Sequence, residues 1–131
     1  DHLFATRLWQ NNSKVHFDIN AREDKKRLIY GGHIISLVRA LSFNGLENAQ
    51  VVVGINGGTH ANPVFAEDTI YCWSEVLDKI DLNVRNIAAL RLRSVGTKEK
   101  NHNMRVKSDD GKYLPTIVLD FDYWVLVPKE L

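Results

Sequence analysis

The chain has 131 residues, 44% of them hydrophobic and 25% charged, which is enough for one core and too little for two comfortable domains. Its 17 basic and 16 acidic residues are mixed along the sequence and leave a net charge of +1, so the electrostatic footprint of a nucleic-acid or anionic-membrane partner is missing. No apolar segment approaches the roughly 20 residues of a membrane span, and the lone Cys72 has no internal disulfide partner, so the chain reads as cytoplasmic. It begins Asp1-His2 without an initiator methionine, as expected either of a trimmed chain or of a piece of a longer polypeptide.

Residues 3–9, LFATRLW, read as a strand. The polar run QNNSKVHFD (10–18) follows and carries two amides, Asn11 and Asn12, ahead of His16. It is either a loop that His16 closes or a site that holds His16 as a base. The basic run Lys25, Lys26 and Arg27 reads as a solvated helix end.

From Gly32 to about Asn44 the sequence is apolar on most sides, with Ile34, Ile35, Leu37, Val38, Ala40, Leu41 and Phe43 leaving a thin polar stripe of His33, Ser36 and Arg39. That pattern predicts a buried helix. Gly45 follows where a helix end favours a left-handed glycine, and Gly31 and Gly32 stand before the helix, where backbone can approach a ligand.

Period-two patterns then take over in AQVVVGI (49–55), TIYCWSEVL (69–77), NIAALRLRSV (86–95) and TIVLDFDYWVLV (116–127). The polar segment between 97 and 113, with its Asp-Gly pair, predicts a long hairpin loop. Together with residues 3–9 this makes five antiparallel strands and one long helix without βαβ alternation. The expected class is α+β, a sheet wrapped around a buried helix in a single domain over 1–131.

Several chemistries lack their residues. No two histidines or cysteines stand at metal-ligand spacing, so no metal is expected. There is no GxSxG elbow, and Cys72 sits in an apolar strand pattern. Arg91 and Arg93 share one strand face, which is either solvated or turned to phosphates. Arg39, on a buried helix, needs an anion or acceptors, such as a strand carboxylate like Glu75.

The stretches QNNSKVHFD, LIYGGHIISLVRALSFNGLENA, INGGTHANPVFAEDT and LDFDYWVLVPK together resemble the MaoC-like enoyl-CoA hydratases of the hotdog fold, and within them the mesaconyl-CoA hydratase (methylmalyl-CoA dehydratase) branch. The resemblance spans essentially the whole chain. It implies reversible hydration of an enoyl-CoA thioester, with a short branched or dicarboxylic acyl group such as mesaconyl. It also implies no cofactor beyond the CoA of the substrate, and a partner that is either a second hotdog module of a longer protein or a second copy in a homodimer. In the general hydratase pattern a carboxylate stands five residues before the histidine, with an asparagine and a proline between them. Here Asn11, Ser13 and Lys14 hold those places.

Hydration needs a base for water, a proton donor for the α-carbon and donors for the thioester oxygen as it gains charge. Histidine suits the base, which points to His16, with Asn11 orienting the water through its carbonyl. The backbone amide of Gly32 at the helix N-terminus would be the oxyanion donor, although two glycines also serve tight packing. Tyr30, Gly31, His33 and Asn12 would border the substrate. His60 and Asn62, in GGTHANP, would line the acyl path or form a plain turn. A thioesterase using Asp18 and a non-catalytic acyl-CoA-binding module are the rival expectations.

Overall fold

In the computed structural model, residues 1–49, 51–84, 86–100 and 103–129 are described. Gln50 of the predicted 49–55 strand, and Asn101 and His102 of the predicted loop, lie outside them. The chain folds as helix α1 (His2–Leu8), two short 3-10 turns (Lys14–His16 and Ile19–Ala21), helix α2 (Gly31–Leu41), and strands β1 (Val51–His60), β2 (Tyr71–Val84), β3 (Ile87–Thr97) and β4 (Ile117–Pro128). The strands form one antiparallel sheet in the order β1-β4-β3-β2. The α+β class holds, with four strands among the described residues rather than five.

The difference lies at residues 3–9, which are helical. A run of seven mostly apolar residues fits either period, and here the backbone closes on itself: the Ala5 amide donates to the Asp1 carbonyl and the Trp9 amide to the Ala5 carbonyl. The buried Thr6 hydroxyl adds a bond to the His2 carbonyl at 2.6 Å. Both sheet edges belong to β1 and β2, so residues 3–9 add no strand to it.

Helix α2 is shorter than predicted and only half covered. It ends at Leu41, and Gly45 adopts its left-handed φ of +86° after an intervening turn. Ile34 and Val38 are buried against the sheet, whereas Leu41 and Phe43 stay exposed because the sheet reaches one face only. The helix sits down on β3 at Gly96, where an added Cβ would come within 2.7 Å of Val38 Cγ2, so this close approach requires glycine.

The core between helix and sheet gathers Ile34, Val38, Leu92, Leu119, Phe121, Tyr123 and Val125, and a smaller cluster of Val95, Val106 and Ile117 lies under the loop before β4. Within the first layer, the buried Tyr123 hydroxyl pairs with Ser94 at 2.9 Å. On the opposite sheet face Arg91 and Arg93 form bidentate pairs with Asp122 and Asp120. These internal pairs satisfy the two arginines without a phosphate. Arg39 likewise needs no Glu75: it donates to the Ala49 carbonyl at 2.6 Å and to Ser42 at 3.1 Å, and stacks over the Tyr123 ring.

Candidate active site

The histidine of QNNSKVHFD is held from both sides by the segment leading into α2. The Leu28 amide donates to the Val15 carbonyl at 2.9 Å, and His16 Nδ1 donates to the Leu28 carbonyl at 2.7 Å. A carbonyl can only accept, so Nδ1 carries the proton and, in the neutral ring, Nε2 keeps its lone pair. The ring is 8% exposed and packs edge-on against Tyr30, with centroids 5.9 Å apart. Tyr30 thus backs the imidazole and fixes its plane.

His16 forms one wall of a cavity of about 330 Å³ whose other walls include Gly31 and Ile34 from the start of α2, and His60, Asn62 and Val64 from the end of β1 and the turn after it. Volumes of this order suit small-ligand sites. The remaining lining is largely apolar, with Leu28, Ile29, Pro63 and Val118 among it, and contains no carboxylate. Its titratable side chains are His16 and His60.

Three segments distant in sequence therefore meet here. The Ile29 amide donates to the Val64 carbonyl at 2.8 Å and ties the approach to α2 to the turn after β1. The Ala61 amide donates to the Val118 carbonyl at 3.1 Å and ties that turn to β4.

The N-terminal turn of α2 supplies donors. Its first bonds are from the His33 and Ile34 amides to the Tyr30 carbonyl, so the Gly31 and Gly32 amides precede the hydrogen-bonded ladder. Gly31 lines the cavity, and a Cβ there would lie 2.7 Å from His60 Nε2. Gly32 faces Tyr30 instead, with an added Cβ only 2.5 Å from the ring end. A Cβ on either glycine would press on a side chain, His60 or Tyr30, and only Gly31 lies in the wall.

The other sequence candidates separate. His60 and Asn62 line the cavity. His60 is exposed as a residue, yet desolvation by its neighbours pushes the imidazole below its usual pKa. Asn11 does not line the cavity, and its Oδ1 accepts the Ser13 amide at 3.1 Å in a local turn. Asn12 is exposed, and His33 lies in the first turn of α2 outside the lining. Asp18 is exposed and caps the second 3-10 turn by accepting the Asn20 amide at 2.8 Å, away from the cavity.

What the sequence did not reveal is the apolar wall of Leu28, Ile29, Ile34, Pro63, Val64 and Val118, because apolar residues carry no local signal of the cavity they face. Burial pushes the Cys72 thiol up, which keeps it protonated and unreactive. Among the described residues no group of three His, Cys, Asp or Glu is placed to hold a metal ion, and no helix is long and apolar enough to cross a membrane.

The chain is similar to known proteins in sequence and in fold. The chain is 58% identical over 129 residues to the mesaconyl-CoA hydratase of Cereibacter sphaeroides, covering 98% of this chain and 38% of that protein. It is 50% identical over 134 residues to the beta-methylmalyl-CoA dehydratase of Chloroflexus aurantiacus, again over 98% of this chain and 38% of the other. A crystal structure of a MaoC domain protein dehydratase from Chloroflexus aurantiacus superposes with a TM-score of 0.93 at 49% identity, over 99% of this chain and 38% of that one.

The chain is a MaoC-like hotdog domain. It spans 38% of the length of the relatives it matches. No protein-family model matches it. The (R)-hydratase of A. caviae involved in PHA biosynthesis shares the fold at a TM-score of 0.61 and 16% identity, over 95% of this chain and 83% of that one.

Proposed function

We propose that this MaoC-like domain carries out the reversible hydration of an enoyl-CoA thioester, with a short branched or dicarboxylic acyl group such as mesaconyl, as the names of its relatives suggest. The observation that carries the reading is the His16 tautomer, fixed by the Leu28 carbonyl so that Nε2 keeps its lone pair, on a residue that lines an apolar cavity at the start of α2. His16 Nε2 takes a proton from water, and the hydroxyl adds to the β-carbon of the enoyl group. The π electrons move onto the thioester oxygen, where the Gly31 amide and the positive end of α2 stabilise the charge. The α-carbon then takes back a proton from imidazolium, since no carboxylate lines the cavity.

Within this scheme Tyr30 holds His16 in place, and His60 borders the thioester beside Gly31. Asn11 shapes the turn that delivers His16. The reaction as written uses water and substrate alone, with CoA entering as part of the substrate. A hydrolase based on Asp18 fits less well, because that carboxylate caps an exposed turn away from the cavity.

The partner proposed is a second hotdog module, in the same polypeptide or as a second copy. Two features support it: β1 lies at a sheet edge with Val51, Val53 and Ile55 more than half exposed, and the chain covers 38% of its relatives' length. Residues 1–131 form one domain in this reading, and the CoA substrate is in keeping with a cytoplasmic location. The test is a panel of enoyl- and 3-hydroxyacyl-CoA thioesters, with products followed by mass. Gain or loss of one water with the thioester intact supports the reading, and release of free CoA overturns it in favour of a thioesterase.

A further inference from the structure

The cavity contains a second polar group whose orientation is fixed. Asn62 donates through Nδ2 to two backbone carbonyls, of Ile117 at 2.7 Å and Leu114 at 3.0 Å. Carbonyl oxygens cannot donate, so both bonds require the amide nitrogen on that side, and the two N–H groups are fully used. The carbonyl oxygen Oδ1 is left without a protein partner among the described residues, on a residue that lines the same cavity as His16. Beside the His60 imidazole, the site therefore offers a ring nitrogen whose tautomer is fixed, His16 Nε2, and one fixed amide oxygen.

A water that gives one proton to His16 still has a second O–H. Left unaligned, that bond lets the attacking lone pair wander, and misplacing a reacting group by about 1 Å costs on the order of 100-fold in rate. An acceptor that cannot itself take the proton suits this task, because the water then ionises toward the imidazole alone. Where the general hydratase pattern places a carboxylate, this chain has Asn11, whose oxygen is engaged by the Ser13 amide. We infer that Asn62 Oδ1 is the second acceptor of the attacking water, so that His16 and Asn62 hold the nucleophile between the loop before α2 and the turn after β1. The inference rests on the hydratase reading and adds a residue to it.

A purely structural Asn62, tying the turn after β1 to residues 114–117, would make a different prediction, and substitution can tell the two apart. Asn62→Asp keeps an acceptor oxygen and loses both N–H groups, setting a carboxylate against two carbonyls. Asn62→Ala loses acceptor and donors together, and Asn62→Leu fills the space without a polar atom.

The experiment measures kcat and KM for mesaconyl-CoA hydration by the full polypeptide carrying this domain. Rates are normalised to the folded fraction, alongside the thermal midpoint of each variant. The expected result is a fall in kcat of about 10- to 100-fold for Asn62→Ala and Asn62→Leu with KM within about three-fold, and recovery of much of that loss in Asn62→Asp although it is no more stable than Asn62→Ala. Rates that follow the stability order, with Asn62→Asp no faster than Asn62→Ala, overturn the inference, as does Asn62→Ala within about three-fold of wild type. In both cases wild-type turnover leaves the hydratase reading standing. A wild type that hydrates no enoyl thioester overturns that reading and this inference with it.

Discussion

Replacing His16 with asparagine separates the two ring nitrogens. The asparagine amide reaches the place of Nδ1, so the bond to the Leu28 carbonyl is kept, while nothing takes the place of Nε2. The structural loss is confined to ring packing against Tyr30, an edge-on contact at 5.9 Å, for which about 1 kcal/mol is the expected cost. With about 2.1 cal/mol/K of unfolding entropy per residue, the 131 residues give roughly 0.28 kcal/mol/K, so the midpoint falls by about 4 °C.

The catalytic loss is of another size. A positioned base contributes about 10²- to 10⁴-fold, or roughly 3 to 5 kcal/mol of barrier. The assay is the disappearance of enoyl-thioester absorbance, with the folded fraction followed by circular dichroism on the same samples. His16→Ala serves as the companion, since it also leaves the Leu28 carbonyl unpaired and should cost a further 1 kcal/mol or so without being slower. Hydration by His16→Asn within about five-fold of wild type would refute the reasoning, because it would show that Nε2 takes no part.

Asn11→Ala should cost about 0.5 to 1 kcal/mol and leave kcat within about three-fold, because its oxygen accepts the Ser13 amide and lies off the cavity. A ten-fold or greater loss of rate at unchanged stability would return Asn11 to the water-orienting role. Gly31→Ala should destabilise by about 1 to 3 kcal/mol through its clash with His60 Nε2, and a double-mutant cycle with His60→Ala should recover most of that cost. Equal costs in both backgrounds would show that His60 is not what excludes the side chain.

Asp120 is held below the usual carboxylate range first by its bonds to Arg93, against burial, with the Tyr113 hydroxyl also helping. Its folded pKa is therefore lower than its unfolded one. The stability it contributes is complete above the unfolded value of about 3.9 and is lost as pH falls through the folded value. Asp120→Asn should lower stability at pH 7 by about 1 to 3 kcal/mol and flatten the loss below about pH 4, as read from urea midpoints against pH. Parallel curves for variant and wild type would count against the pair.

The sequence by itself determined the layers of this protein. Alternating residues such as Leu119, Asp120, Phe121, Asp122 and Tyr123 state which face of β4 is covered, because side-chain direction in a strand reverses at every residue. The apolar stripe of 34–41 and the two glycines before it likewise marked α2 and its start, since helical period and backbone freedom are local properties. Residues 3–9 were not legible, because a short apolar run satisfies either period and only its hydrogen bonds decide.

The site was legible in its polar members and not in its pairing. His16, His60 and Asn62 stand out as residue types, yet whether they share a wall depends on how 28–31, 60–64 and 118 are brought together, which is a matter of long-range backbone bonds. The same holds for the two amides. Asn11 and Asn62 are chemically alike in sequence, and only the tertiary structure shows that one oxygen is engaged by a neighbouring amide while the other is left free when its own nitrogen is bound by two distant carbonyls.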